Sequence, residues 1–139
     1  VIETPPTHAT DEDEPLMAVT VQHRDSLAIV AARGDIDLLT APQLRTAIHQ
    51  ALADAPRAVV IDLSAVTFLA SVGIAALLDA HAAAGGAGAE VPFAVVARGA
   101  ATARPLELLG LTELLRVHPD LDAATIDLGT ALNPAAPRR

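Results

Sequence analysis

The chain has 139 residues and a formal charge of −8, and it is 52% hydrophobic with only two Phe and no Trp, Tyr or Cys. That length suits one ordinary domain rather than two closing on a substrate. The composition excludes a base-stacking surface, a basic footprint for nucleic acid or anionic membrane, disulfides, thiolate metal sites and a cysteine nucleophile.

Residues 1–15 are acidic and Pro-containing, too poor in apolar groups to offset their ordering entropy, and are expected to form a disordered leader. Leu16–Val21 and Leu27–Val30 are short apolar runs separated by the polar Gln22–Ser26, a pattern that predicts two neighbouring antiparallel strands. Gly34-Asp35-Ile36-Asp37 reads as a break. Thr40-Ala41-Pro42-Gln43 then has the form of a capping box, opening a helix to Ala53 with Leu44, Ile48, Ala51 and Leu52 on one stripe.

Ala58–Leu63 is a continuous apolar run, as expected of a central strand buried on both faces. After a short loop, Ser71–Ala84 is predicted helical, with Ile74, Leu77, Leu78 and His81 on its stripe and Gly85-Gly86 as its stop. Val91–Ala97 reads as a strand, and Ala101–Leu109 as a short helix with Pro105 in its first turn and Gly110 ending it. Leu114–Val117 is the last predicted strand. Asp120 begins a final helix with Leu121, Ala124, Thr125 and Leu128 on one side, and residues 133–139 form a frayed tail. The order β-β-α-β-α-β-α-β-α defines an α/β fold: one domain over residues 16–132, with a mixed sheet of about five strands and about four helices.

Three chemistries are tested against these elements and none finds its residues. Ser71 stands at a strand-to-helix junction, but residues 69–73 read LASVG rather than G-x-S-x-G, and His81 lies two to three turns away. His8, His23, His49, His81 and His118 are scattered without a metal-ligand spacing. Gly85-Gly86-Ala87-Gly88 follows a helix instead of leading into one, and no Lys adjoins it, so it does not read as a phosphate loop. The expectation is a non-enzymatic domain with no cofactor and no metal. The longest uncharged run, Leu63–Leu78, is shorter than the roughly 20 apolar residues of a membrane span. A cytoplasmic location without membrane insertion is therefore expected.

The stretch Asp62-Leu63-Ser64-Ala65-Val66-Thr67-Phe68-Leu69-Ala70-Ser71-Val72-Gly73-Ile74 resembles the signature of the STAS domain, and within it of the bacterial anti-sigma factor antagonists, of general form D-L-S-x-V-x-F-[ILM]-D-S-[SA]-G-[IL]. Gly34-Asp35-Ile36-Asp37 is similar to that family's G-E-[IL]-D, and Gly110-Leu111-Thr112-Glu113-Leu114-Leu115 to its G-L-x-x-x-[FL] segment. The resemblance covers about residues 16–132. It implies a STAS-like fold, binding to an anti-sigma factor of the ATP-using serine-kinase type, release of a sigma factor, no direct nucleic-acid contact, and phosphorylation of Ser71 as the off switch. It implies a partner surface of Asp37, Thr40, Ala70, Ser71, Val72 and Gly73.

Phosphate at a helix start is stabilised by free N–H groups and the dipole, so Ser71 suits modification without unfolding. The plainer readings are an N-cap for Ser71, an ordinary turn for Asp37 and tight helix packing for Gly73. The family's Asp before the acceptor serine is Ala70 here, a departure that bears on phosphorylation rather than on partner binding. Two alternatives stand beside this one: a STAS subunit of a transport or stress-signalling assembly, without phosphorylation, and a nucleotide or small-molecule sensor.

Overall fold

The computed structural model describes residues 17–85 and 90–132. The predicted leader, Leu16, the Gly86–Gly88 part of the predicted loop and the tail lie outside the described residues. Strands β1 (Met17–Arg24) and β2 (Leu27–Ile36) form an antiparallel hairpin. It is closed by Asp25 and Ser26 alone, both at positive φ, 53° and 71°, the two-residue turn whose twist matches the flanking strands. The polar segment Gln22–Ser26 therefore does not separate the strands: β1 is an edge strand whose Thr20–Arg24 face solvent, so polarity there does not end it.

The remaining elements alternate: α1 (Ala41–Ala53), β3 (Ala58–Leu69), α2 (Ser71–Gly85), β4 (Phe93–Val96), α3 (Ala103–Leu108), β5 (Val117–His118) and α4 (Leu121–Leu132). The sheet has five strands in the order β1-β2-β3-β4-β5, antiparallel at β1–β2 and parallel thereafter. The expected α/β order and central position of Ala58–Leu63 are both observed.

One face of the sheet carries Val30, Val59, Ile61, Leu63 and Val95, which pack with Leu44 and Ile48 of α1, Ile74 and Leu77 of α2 and Leu106 of α3. On the other face Ala124 and Leu128 of α4 cover Ala58, Val60, Ala94 and Val96. The scarcity of large aromatics, with Phe93 the one in the core among the described residues, is met by many Ala, Val, Ile and Leu side chains in two layers. Asp120 starts α4 as expected, its Oδ1 accepting from Ala123 N at 2.8 Å. Pro105 sits in the first turn of α3, and Gly110 follows that helix at φ 73°, also as expected.

Four expectations need correction. Gly34–Ile36 is not a break but the end of β2, and Ser64–Leu69 is not a loop but the end of β3; the two extensions pair with each other across register shifts. Thr40 precedes α1 but makes no side-chain cap, because its hydroxyl turns back to Asp35 O at 2.7 Å. The last strand is Val117–His118 rather than Leu114–Val117. Leu114–Arg116 form turns, with Arg116 at φ 53° and Val117 N donating to Thr112 O at 2.9 Å.

Candidate functional site

Because β2 and β3 run parallel, their C-terminal ends reach one edge of the sheet, where Asp35 pairs with Phe68 and Ile36 with Leu69. Strand β4 accompanies β3 only from Val59 to Asp62. The Asp62 carboxylate accepts from Ser64 N at 2.9 Å, and from there the strand continues beside β2 alone. Val66 and Leu69 point into the core, whereas Ser64, Ala65, Thr67 and Phe68 are exposed. Thr67 Oγ1 donates to Asp35 Oδ1 at 2.7 Å, tying the two strand ends together.

The loop leaving β2 is held by its own side chains. Asp37 Oδ1 accepts from Leu39 N at 3.0 Å and Thr40 N at 3.1 Å, and it lies 3.1 Å from Thr40 Oγ1. Asp37 N donates to Thr40 Oγ1 at 2.9 Å, and Asp37 O accepts from Ala41 N at 2.8 Å. Asp37 thus pins the turn that leads into α1, while among the described residues no side chain caps the helix's own N–H groups. Thr40 is buried with its hydroxyl engaged internally, so its part in the surface is to shape the loop.

Loop and helix meet through the backbone. Ala70 N donates to Ile36 O at 2.9 Å, and Ala70 O accepts from Gly73 N at 2.9 Å and Ile74 N at 3.1 Å. Ala70 is therefore the residue that caps α2, and Ser71 is the first helical residue rather than the N-cap. Ser71 is exposed, and among the described residues its hydroxyl has no hydrogen-bond partner. The N–H groups of Ser71 and Val72 likewise donate to no described residue, leaving the positive end of α2 open. Val72 is half-buried, packed at the margin of the core.

Gly73 is buried, and a Cβ there would stand 2.6 Å from Ile36 Cγ2 and 2.7 Å from Leu69 Cδ1. The missing side chain lets α2 start against the ends of β2 and β3, and the space it leaves is filled from inside the protein. Of the six residues singled out in the sequence, Asp37, Ala70, Ser71 and Val72 gather at the accessible edge, with Thr40 and Gly73 beneath it. His81 is ten residues along α2 from Ser71, about 15 Å at helical rise, and stacks edge-on against Phe93 with ring centres 5.7 Å apart. Among the described residues no cluster of His, Asp and Glu could hold a metal ion, and no helix is long and apolar enough to cross a membrane.

Sequence reasoning missed three residues at this edge. Leu38 and Leu39 are 74% and 77% exposed and Phe68 is 52% exposed. Their signal is a pair of leucines inside a turn and an aromatic on the segment expected to be a loop, neither of which belongs to any buried stripe.

A five-stranded sheet with α2 starting at an exposed serine beside an Asp-pinned loop defines a class of domain, and the family model for the STAS domain matches residues 18–124. The chain belongs to the STAS domain family. It is 46% identical over 110 residues to the anti-sigma-F factor antagonist RsfB of Mycobacterium tuberculosis, covering 78% of this chain and 88% of that protein. It is 32% identical over 124 residues to RsfA, an antagonist of the same description from that organism, covering 86% and 95%. Among solved structures, an anti-sigma factor antagonist from Mycobacterium paratuberculosis superposes with a TM-score of 0.75 at 42% identity, covering 81% of this chain and 94% of that one. The unphosphorylated form of SpoIIAA shares the fold at 14% identity, with a TM-score of 0.66 over 82% and 97% of the two chains.

Proposed function

We propose that this STAS domain is an anti-sigma factor antagonist: it binds an anti-sigma factor through the edge formed by Asp37, Ala70, Ser71 and Val72 and so frees a sigma factor for transcription. The partner is of the ATP-using serine-kinase type, the domain itself carries no catalysis, and the exchange takes place in the cytoplasm. The observation that carries this reading is the exposed Ser71 hydroxyl, without a hydrogen-bond partner among the described residues, on the first residue of α2 in a chain 46% identical to an anti-sigma-F factor antagonist.

Phosphorylation of Ser71 by that partner is the off switch. A phosphoryl group there adds about −1.5 to −2 charge beside Asp37 and fills the surface a partner must approach. The open N–H groups of Ser71 and Val72 stabilise it locally, so the domain stays folded while the partner is expelled. Capture of the tagged protein from its native cytoplasm, with the bound proteins identified by mass spectrometry, is expected to return an anti-sigma factor. With that partner purified, Ser71→Ala retains binding and Ser71→Asp weakens it at least tenfold, a change of about 1.4 kcal/mol. Equal binding by the two variants contradicts the switch. Ala70 favours a second reading, in which the same edge binds a signalling or transport assembly constitutively; recovery of such subunits instead of an anti-sigma factor selects it.

A further inference from the structure

Leu38, Leu39 and Phe68 are three large apolar side chains, 74%, 77% and 52% exposed, the leucines in the Asp37 turn that follows β2 and the phenylalanine at the end of β3 just before α2. Single exposed leucines are common on protein surfaces, but here they sit on backbone held in place rather than on a loose loop. Leu39 N is itself bonded to Asp37 Oδ1, Thr40 N to the same oxygen, and Phe68 pairs with Asp35, whose Oδ1 receives the Thr67 hydroxyl. Apolar anchors on a pre-formed scaffold lose little entropy on docking, which is the character of residues that dominate binding.

The charges around them choose the partner's chemistry. Asp35 and Asp37 each use Oδ1 internally, while among the described residues their Oδ2 atoms have no partner and neither carboxylate forms an ion pair. Arg33 is the only cation between residues 27 and 44, and it pairs with neither. In a two-fold contact at this patch a second copy would set its own Asp35 and Asp37 against these carboxylates.

Resting on the antagonist reading above, we infer that Leu38, Leu39 and Phe68 are the principal anchors of the complex: they enter an apolar socket on the anti-sigma factor, and a cationic side chain of that protein meets the free oxygens of Asp35 and Asp37. Ser71 then lies at the margin of the socket, where a phosphoryl group disturbs a contact whose affinity comes mainly from its neighbours. Thr40 and Gly73 hold the scaffold and make no contact of their own.

The test is calorimetric titration of the full chain with the purified anti-sigma-F factor of the source cell, comparing wild type, Ser71→Asp, the double variant Leu38→Ala with Leu39→Ala, Phe68→Ala and Leu39→Met. The double variant is expected to lose at least about tenfold in affinity and Phe68→Ala about fivefold, whereas Leu39→Met stays within about threefold. Unfolding midpoints are expected to remain within about 3 °C of wild type, since these side chains support little of the core. Affinity falls severalfold between about 50 and 500 mM salt if a cation faces the carboxylates.

Wild-type-like binding by the double variant and Phe68→Ala, with Ser71→Asp still disrupted, overturns the inference and leaves the antagonist reading intact. No binding by the wild type overturns both. Loss of a concentration-dependent dimer in the double variant, with its affinity for the anti-sigma factor unchanged, assigns the patch to a second copy and also overturns the inference.

Discussion

The two halves of β3 have opposite environments within one strand. From Ala58 to Ile61 every side chain is fully buried, with β2 on one side, β4 on the other and helices over both faces. From Ser64 to Phe68 the strand keeps β2 but has left β4, and Ser64, Ala65, Thr67 and Phe68 are exposed. The first half is what makes the domain stable; the second is a platform that stability supports. An exposed edge can present apolar groups without collapsing because the adjoining half is fixed by its surroundings, and the Asp62–Ser64 hydrogen bond marks where one environment gives way to the other.

The sharpest way to break that contrast is to truncate one residue in each half. Ile61→Ala, at a site with no solvent exposure, is expected to cost about 2–5 kcal/mol, read from denaturant midpoints. Phe68→Ala is expected to change stability by about 0.5 kcal/mol or less, so a similar loss in both variants would remove the distinction.

Gly73→Ala probes the seam between the halves. Its Cβ meets Ile36 and Leu69 well inside contact distance, so overpacking outweighs the gain of roughly 1 kcal/mol in helix propensity. A net loss of about 1–2 kcal/mol is expected by chemical unfolding, and a stabilised variant would mean that the start of α2 is less tightly seated.

The smallest effect is a gain. Ala70→Asp places a carboxylate at the cap of α2, where it can accept from the open N–H groups, and is expected to add about 0.5–1 kcal/mol above the carboxylate titration range. That increment vanishes as pH falls and the new carboxyl protonates, because a capped carboxylate titrates below its unfolded value. A variant whose extra stability is independent of pH would contradict the capping account.

Most of the architecture was legible in the residues. The run AVVIDL identified the central strand, and helix stripes such as Leu44–Ile48 and Ile74–Leu77 identified the inner faces. The ends of β2 and β3 were not, because a strand with one exposed side loses the continuous apolar run that marked its buried half, and register shifts interrupt simple alternation. The turn at Asp25-Ser26 was obscured by a polar edge strand. At the site, Ser71 and Asp37 could be picked out from the family pattern, but the roles of Thr40 and Gly73 could not. A buried threonine turned toward Asp35 and a glycine filled by Ile36 and Leu69 are tertiary facts with no local signature. Leu38 and Leu39 have no signal in the hydrophobicity pattern, because what sets them apart is their exposure.

In the proposed complex the projecting end of β3, the Asp37 loop and the start of α2 dock together, and the opposite face under α4 stays free. Hydrogen exchange of the full chain, read by mass spectrometry with and without the purified anti-sigma factor, distinguishes the two faces. Added protection is expected in peptides covering residues 35–40 and 64–73 and none in α4. Protection confined to α4 and β5, with the 35–40 and 64–73 peptides exchanging as in the free protein, would contradict that arrangement.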